Sequence, residues 1–367
     1  MPQQKRHLIH LVSSNRWAGA QQYACDICRH YMEAGWEVTA VTRDARVVDS
    51  HFQEAGVEVR HAPLRGFFDP ASAWMLASLL RKIPQGQGVI HVHRYRDAFT
   101  ALLAKRIAKR KDILVVVTRH SIRPARKSAL FRRIYRKINA HIFVSDAARL
   151  CFLSTWPQHK DCPIAPERIH VLHNSTPAVP AEATPEPSRG PIFAICHGPL
   201  AKGKGIESAI DALQFLSDLK LRLRIAGPGN PDYLDLLRRR AITLGVMEAI
   251  DWDIGPDVPD SLILSAHFAI HPSLHREAGG IDNIRDMACA RPQICTASGA
   301  QTEYLRDGVS AIIVPPANPG AIAQAMRALA SDPELRQQMG TAAFADFHQL
   351  LDWNVFTSRL SKIYHPD

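Results

Sequence analysis

The stretch HLIHLVSSNRWAGAQQYACDICRHYMEAGWEVTAVT, residues 7–42, decides the fold. His7 to Ser13 is an apolar run of strand length, a polar segment follows, Ala20 to Ala34 reads as a helix, and Glu37 to Thr42 is a second apolar strand. Two buried strands joined through a helix pair in parallel by a right-handed crossover. Outward from this unit the alternation continues. Strands are predicted at Val57–His61, Gly88–His93, Ile113–Arg119, Ala140–Ser145 and Arg168–His173, and helices at Pro70–Ile83, Arg96–Ala108, Lys127–Ile138 and Asp146–Thr155. The pattern is that of an α/β, Rossmann-like parallel sheet covered on both faces.

After Asn174 five prolines, Pro177, Pro180, Pro185, Pro187 and Pro191, mark an exposed linker. Alternation then resumes, with strands at Ile192–His197, Leu221–Ala226, Ala249–Asp253, Phe268–His271, Gln293–Thr296 and Ile312–Val314. Helices at Ile206–Leu216, Pro231–Leu244, Ile281–Ala290 and Ala321–Ala330 fill the gaps. The division expected is a first doubly wound domain over residues 1–174, a linker over 175–191, a second doubly wound domain over 192–350, and a C-terminal helix in 351–367, near Asn354–Tyr364, crossing back to the first domain. Two such domains facing each other place a ligand cleft at the carboxyl ends of both sheets.

Composition narrows the function classes. The chain has 367 residues, 46% of them hydrophobic, which excludes disorder and a disulfide-stapled miniprotein. No window approaches the roughly 20 apolar residues of a membrane span, and the His7–Val12 run is too short for a signal-peptide core, so a cytoplasmic protein is expected. Seven irregularly spaced cysteines fit a reducing compartment; the lone pair Cys25 and Cys28 falls inside a helix and reads as packing. Residues 105–137 carry a net charge of +12, against −2 for all the rest. That patch suits an anionic partner: lipid surface, charged substrate or nucleic acid.

Three loops carry candidate chemistry. Gly19 lies between the first strand and its helix, where backbone N–H groups face a phosphate or a sugar, although such a turn is also common in purely structural connections. His197-Gly198-Pro199-Leu200-Ala201-Lys202-Gly203-Lys204-Gly205 joins a strand to a helix with three glycines and two lysines, a setting for an anionic diphosphate; a solvated basic turn is the bland alternative. Neither a P-loop nor a GxGxxG fingerprint is present. Gly227 and Gly229 form another tight loop at the same edge. Glu277, Gly279, Gly280 and Ile281 precede a helix, so their N–H groups suit an anion while Glu277 accepts bonds from hydroxyls. His93 and His120 end strands on the cleft side.

In this order, the Gly19 loop, His120, Lys204-Gly205, Gly227 and Gly229, Pro272-Ser273 to Glu277, Met287-Ala288-Cys289 to Pro292 and Val314-Pro315-Pro316, the sequence resembles the retaining GT-B glycosyltransferases of family 4 over nearly its whole length. The resemblance implies two Rossmann-like domains, the first binding the acceptor and the second a nucleoside diphosphate sugar. It implies retention at the anomeric carbon, with neither metal nor cofactor. Carried over, Lys204 matches the lysine that neutralises the donor diphosphate, Glu277 the first glutamate of the family's EX7E motif, His120 the histidine at the reacting sugar and Gly19 the glycine loop near the phosphates. Catalysis is thus assigned to His120, Lys204 and Glu277, and donor binding to Gly19, Gly198, Lys202, Gly205, Gly227, Glu277, Gly279, Gly280, Ile281, Asp282 and Arg285.

Two positions depart from the family. Arg285 stands where the second glutamate accepts bonds from the ribose, and a guanidinium only donates. Asp286 points about 100° away, which leaves Asp282, one turn earlier, as the better rescue. Pro199 replaces the arginine of the diphosphate pair, with Lys202 three residues on. Arg285 therefore favours a competing reading, an inactive homologue that binds glycan or anionic lipid; a sugar-nucleotide epimerase is a further alternative.

Within the basic segment, Leu130, Phe131, Ile134, Tyr135 and Ile138 recur at helical spacing, so the helix either docks on its own domain with solvated charges or meets an anionic surface. His93, Arg119, Arg123, Arg126, Lys127, Arg132, Arg133, Arg136 and Lys137 are the candidates for an acceptor or membrane surface. No nucleic-acid reader motif accompanies them. The reading is a glycosyltransferase peripheral to the inner face of the cytoplasmic membrane, acting on a glycan or glycolipid of the cell envelope such as lipopolysaccharide.

Overall fold

A computed structural model describes residues 5–157, 161–177, 187 and 190–365. Linker positions Pro180 and Pro185 lie outside the described residues. The chain divides into two compact units, one of residues 1–174 with 354–367, the other of residues 175–353.

The first unit runs β1 (His7–Val12), α1 (Gly19–Glu33), β2 (Glu37–Thr42), α2 (Arg46–Glu54), β3 (Glu58–His61), α3 (Pro70–Leu80), β4 (Gly88–Val92), α4 (Tyr95–Ile107), β5 (Leu114–Arg119), α5 (Ala129–Lys137), β6 (Ala140–Phe143), α6 (Asp146–Leu153) and β7 (Ile169–Val171). Its seven strands pair in parallel in the order β3-β2-β1-β4-β5-β6-β7. The central strands β1, β4, β5 and β6 are buried on both sides because helices cover both faces. β1 is flanked by β2 and β4, so the topology switches there, and the loops after β1 and β4 open the crevice in which such sheets hold ligands.

The second unit runs β8 (Ile192–His197), α7 (Ile206–Ala212), β9 (Leu221–Ala226), α8 (Pro231–Thr243), β10 (Ile250–Asp253), α9 (Asp260–Leu264), β11 (Phe268–His271), α10 (Ile281–Ala288), β12 (Gln293–Thr296), β13 (Ala311–Val314), α11 (Pro319–Ser331) and α12 (Pro333–Leu350). Its parallel order, β10-β9-β8-β11-β12-β13, switches between β8 and β11. Two parallel Rossmann-like sheets are what the alternation predicts.

The last helix, α13 (Trp353–Tyr364), belongs from Asn354 onward with the first unit. Its Phe356, Leu360 and Tyr364 are buried; the Phe356 ring meets Tyr23 edge-on and Ser361 shares a hydrogen bond with the Tyr31 hydroxyl at 2.8 Å.

Three helices escape the periodicity reading. α2 buries only Val48, Asp49 and Phe52, too few apolar positions to mark a face. α9 is five residues long. α12 buries Arg336, Met339, Gly340, Ala343, Asp346 and Phe347, which is helical spacing, but half of that face is polar or glycine. Arg336 donates to the Leu329 carbonyl and Asp346 accepts from Arg306, which makes their burial tolerable. α5 begins at Ala129 rather than Lys127, because the Ser128 side chain caps it at the Phe131 N–H. Cys25 and Cys28 are buried in α1, and burial pushes both thiols upward, Cys25 to about 12. Among the described residues no helix is long and apolar enough to cross a membrane.

Candidate functional site

In the second unit, β8 delivers the glycine–lysine loop. Gly205 sits at φ +71°, and a Cβ there would come within 1.9 Å of the Pro272 carbonyl, so the loop packs directly on the segment after β11. That approach carries Lys204 to Glu277: Nζ donates to Oε1 at 2.8 Å. The Ser273 hydroxyl donates to the same oxygen at 2.6 Å. Glu277 is held by its backbone as well, its N–H donating to the Ser298 carbonyl and its C=O accepting from Ala300. Gly299 fits between because a Cβ there would strike the Glu277 backbone. Lys204 is taken up from its ordinary range by the Glu277 and Asp282 carboxylates, which outweigh its burial. The structure thus brings two of the sequence candidates into one ion pair. Motif reading missed the 298–300 clamp, whose only signal is Ser298-Gly299 after a strand.

Gly198, at φ +104°, and Gly227, at φ +125°, lie back to back, a Cβ on Gly227 falling 2.3 Å from the Gly198 carbonyl. The Asp282 carboxylate lies against Gly198, where a Cβ would come within 2.5 Å of its oxygen, so Asp282 borders the glycine loop. Gly279 and Gly280 precede α10, with Ile281 as its first residue, and Lys202 is exposed on the loop. Arg285 turns elsewhere: its guanidinium pairs with Asp260 and donates to the Val258 carbonyl at 2.6 Å. Asp286 is fully buried and accepts from His197 at 2.7 Å and from His271 at 2.5 Å. Those imidazoles hold its carboxyl far below the usual range, and in return Asp286 raises His197 against its burial. Asp286 is therefore committed inside the unit.

In the first unit, His93 and His120 follow β4 and β5 and line a cavity of about 710 Å³, within the range of ligand sites. They continue a buried chain. His10 Nδ1 and His93 Nε2 lie 3.0 Å apart, and His93 Nδ1 and His120 Nε2 lie 3.1 Å apart. His91, opposite His10 in the β1–β4 register, bonds the Tyr364 hydroxyl at 2.6 Å and Thr118 at 2.7 Å. Burial lowers all four rings, His10 and His120 to about 3, with Arg94 adding to the effect at His120. They are neutral at physiological pH, so His120 offers one lone pair and one N–H.

Gly19 opens α1 as its first helical residue, and its neighbours Ala18 and Ala20 line the same cavity. The basic segment splits in two. Arg119, Arg123 and Arg126 line the cavity together with His93, which precedes the segment. Lys127 precedes α5 in an exposed position; Arg133, Arg136 and Lys137 lie on its exposed face and Arg132 is half-buried, while Phe131, Ile134 and Tyr135 pack into the core. The apolar face of α5 is thus spent on its own domain.

Two parallel sheets, each with a switch point and these strand-end loops, have the architecture of the GT-B fold. Residues 18–175 match the glycosyl transferase 4-like domain and residues 182–346 match the glycosyl transferases group 1, and the chain belongs to this family. It is similar to the alpha-maltose-1-phosphate synthase of Mycobacterium tuberculosis, at 25% identity over 89% of this chain and 93% of that protein. The alpha-D-kanosaminyltransferase of Streptomyces kanamyceticus is also 25% identical, over 83% and 86%. Among solved structures, Anabaena Alr3699/HepE in complex with UDP and glucose aligns with a TM-score of 0.82 over 99% of this chain and all of that one, at 16% identity.

Proposed function

We propose that this glycosyltransferase moves a sugar from a nucleoside diphosphate donor to a glycan or glycolipid acceptor, with retention and without a metal ion. The observation that carries the reading is the Lys204–Glu277 pair, with Ser273 on the same carboxylate oxygen. A raised, half-exposed lysine supplies fixed positive charge where the departing diphosphate gains negative charge, and the N–H groups before α10 add to it. Once an anion draws Lys204 away, Glu277 is free to accept bonds from donor sugar hydroxyls. His120, neutral and half-buried, takes the place beside the reacting sugar. The second unit is the donor side and the first the acceptor side.

Asp282 takes over the ribose contact that Arg285 has lost. The exposed basic face of α5 holds the enzyme to the inner face of the cytoplasmic membrane, each cation contributing about 1 kcal/mol near an anionic surface, for work on a cell-envelope glycan such as lipopolysaccharide. A second reading, an inactive glycan- or lipid-binding homologue, is favoured by the pairing of Arg285 with Asp260 in place of a free carboxylate.

Thermal shift against UDP, GDP, ADP, CMP and dTDP sugars tests the choice, UDP-glucose first because a solved neighbour holds UDP and glucose. Stabilisation by one donor that disappears in Lys204→Ala supports the transferase and names its base. No response to any donor sinks it and leaves the binding protein.

A further inference from the structure

The cavity of the first unit carries far more positive charge than a neutral saccharide needs. Arg16, Arg94, Arg96, Arg119, Arg123 and Arg126 all line it, and among the described lining residues there is no carboxylate. Among the described residues, the acid paired with this set, Asp97, lies behind the wall: it is buried, accepts from Ser13 at 2.5 Å, and stands 3.5 Å from Arg96. Arg119 is clamped, its guanidinium over the Tyr95 and Phe152 rings at 5.6 and 4.9 Å and one nitrogen donating to the Arg123 carbonyl at 2.6 Å. Its buried Nε has no hydrogen-bond partner. Arg126 stacks on Phe67 and Phe131. Aromatic faces fix these guanidiniums without neutralising them.

Six like charges around one cavity repel one another, and a protein that gathers them gains only when an anion enters. Burial and the neighbouring Arg96 and Arg43 already work against the charge on Arg94. The helices agree. α1 and α4 both begin at this cavity and neither has a side-chain cap; α4 carries Asp97 in its first turn, whereas the first turn of α1 holds no acid, so it is the α1 end whose partial charge adds to the arginines. Planar donor forks and helix N–H groups together match the several oxygens of a phosphate better than the two of a carboxylate.

We propose that this cavity binds a phosphate group on the acceptor, so that the enzyme glycosylates a phosphate-bearing saccharide beside His120. The inference rests on the transferase reading and names its acceptor class. The phosphate belongs either to a free sugar phosphate or to a lipid-linked one.

Calorimetry on the full chain, without nucleotide, compares glucose 6-phosphate with glucose, and flotation compares phosphatidylcholine vesicles with and without phosphatidic acid. Glucose 6-phosphate is expected to bind at least tenfold more tightly than glucose. That preference is lost in Arg94→Gln/Arg123→Gln, partly kept in Arg94→Lys/Arg123→Lys, and kept in Arg60→Gln, a change outside the cavity. Binding confined to phosphatidic acid vesicles, with the same dependence on Arg94 and Arg123, assigns the lipid-linked source.

The proposal is overturned if neither phosphate probe is preferred, if the preference survives Arg94→Gln/Arg123→Gln, or if Lys204→Ala abolishes it, which would seat the anion in the second unit. The nucleotide-sugar thermal shift on the same double variant separates the two ideas. A shift retained there while phosphate binding is lost supports the cavity; donor binding with no phosphate preference fails the cavity and leaves the transferase standing.

Discussion

At the residue scale, Arg285 is the sharpest departure from the family pattern, and its surroundings explain why it persists. Its guanidinium joins α10 to the first residue of α9, Asp260, and to the Val258 carbonyl just before that helix. Arg285→Met should leave that carbonyl and carboxylate without their donor and lower the denaturant midpoint by the equivalent of about 1–2 kcal/mol. If the transferase proposal holds, donor binding in this variant changes little, because the group that meets the ribose is Asp282; a collapse of donor affinity with unchanged stability would instead place Arg285 on the nucleotide. The residue type at position 285 was plain from the motif. Its partner was not, since Asp260 lies 25 residues earlier with nothing in the spacing to link them.

At the element scale, β1, β4 and the residues that follow β4 and β5 carry a row of neutral histidines, and the pH response follows from their direction. His10, His91, His93, His120 and, on β6, His141 are all lowered by burial. Their contribution is present in full above the unfolded value near 6.5 and is lost as the pH falls below it, because the unfolded chain then takes up protons that the folded unit refuses. Each histidine costs about 1.4 kcal/mol per pH unit once the pH is well below that value. The first unit should therefore melt steeply earlier between pH 6.5 and 5. His197 has the opposite sign: raised by Asp286, its contribution is present below the unfolded value and fades as the pH rises through its folded value. Calorimetric scans across pH 5–8 check both; an acid-insensitive first unit would contradict the neutral row. His93 and His120 were legible as strand-end residues, whereas the row exists only because parallel register sets His10 against His91.

At the scale of the whole molecule, the last twelve residues described complete a unit whose other strands and helices end at Asn174. Phe356, Leu360 and Tyr364 are buried there, and Tyr364 closes the histidine row at His91. Truncation after Trp353 should destabilise the first unit by more than about 5 kcal/mol, given the cost of removing even one large buried side chain, and leave the second unit folded. Two separate transitions in a calorimetric scan, with only one moved by the truncation, would bear this out, and an unmoved first transition would refute it.

The sequence by itself determined the alternation of strand and helix and which loops fall at strand ends, because hydrophobic period and glycine act locally. It determined as well that the charge is concentrated in residues 105–137. Only the tertiary structure decided what those residues do to one another. Lys204 and Glu277, 73 positions apart, meet because β8 and β11 are neighbours in the sheet. The basic segment divides between a cavity wall and an outer face because α5 must bury Phe131, Ile134 and Tyr135, which turns its own charges outward and leaves Arg119, Arg123 and Arg126 on the other side of the turn. Pairings of that kind depend on strand order and helix rotation, which no local pattern encodes.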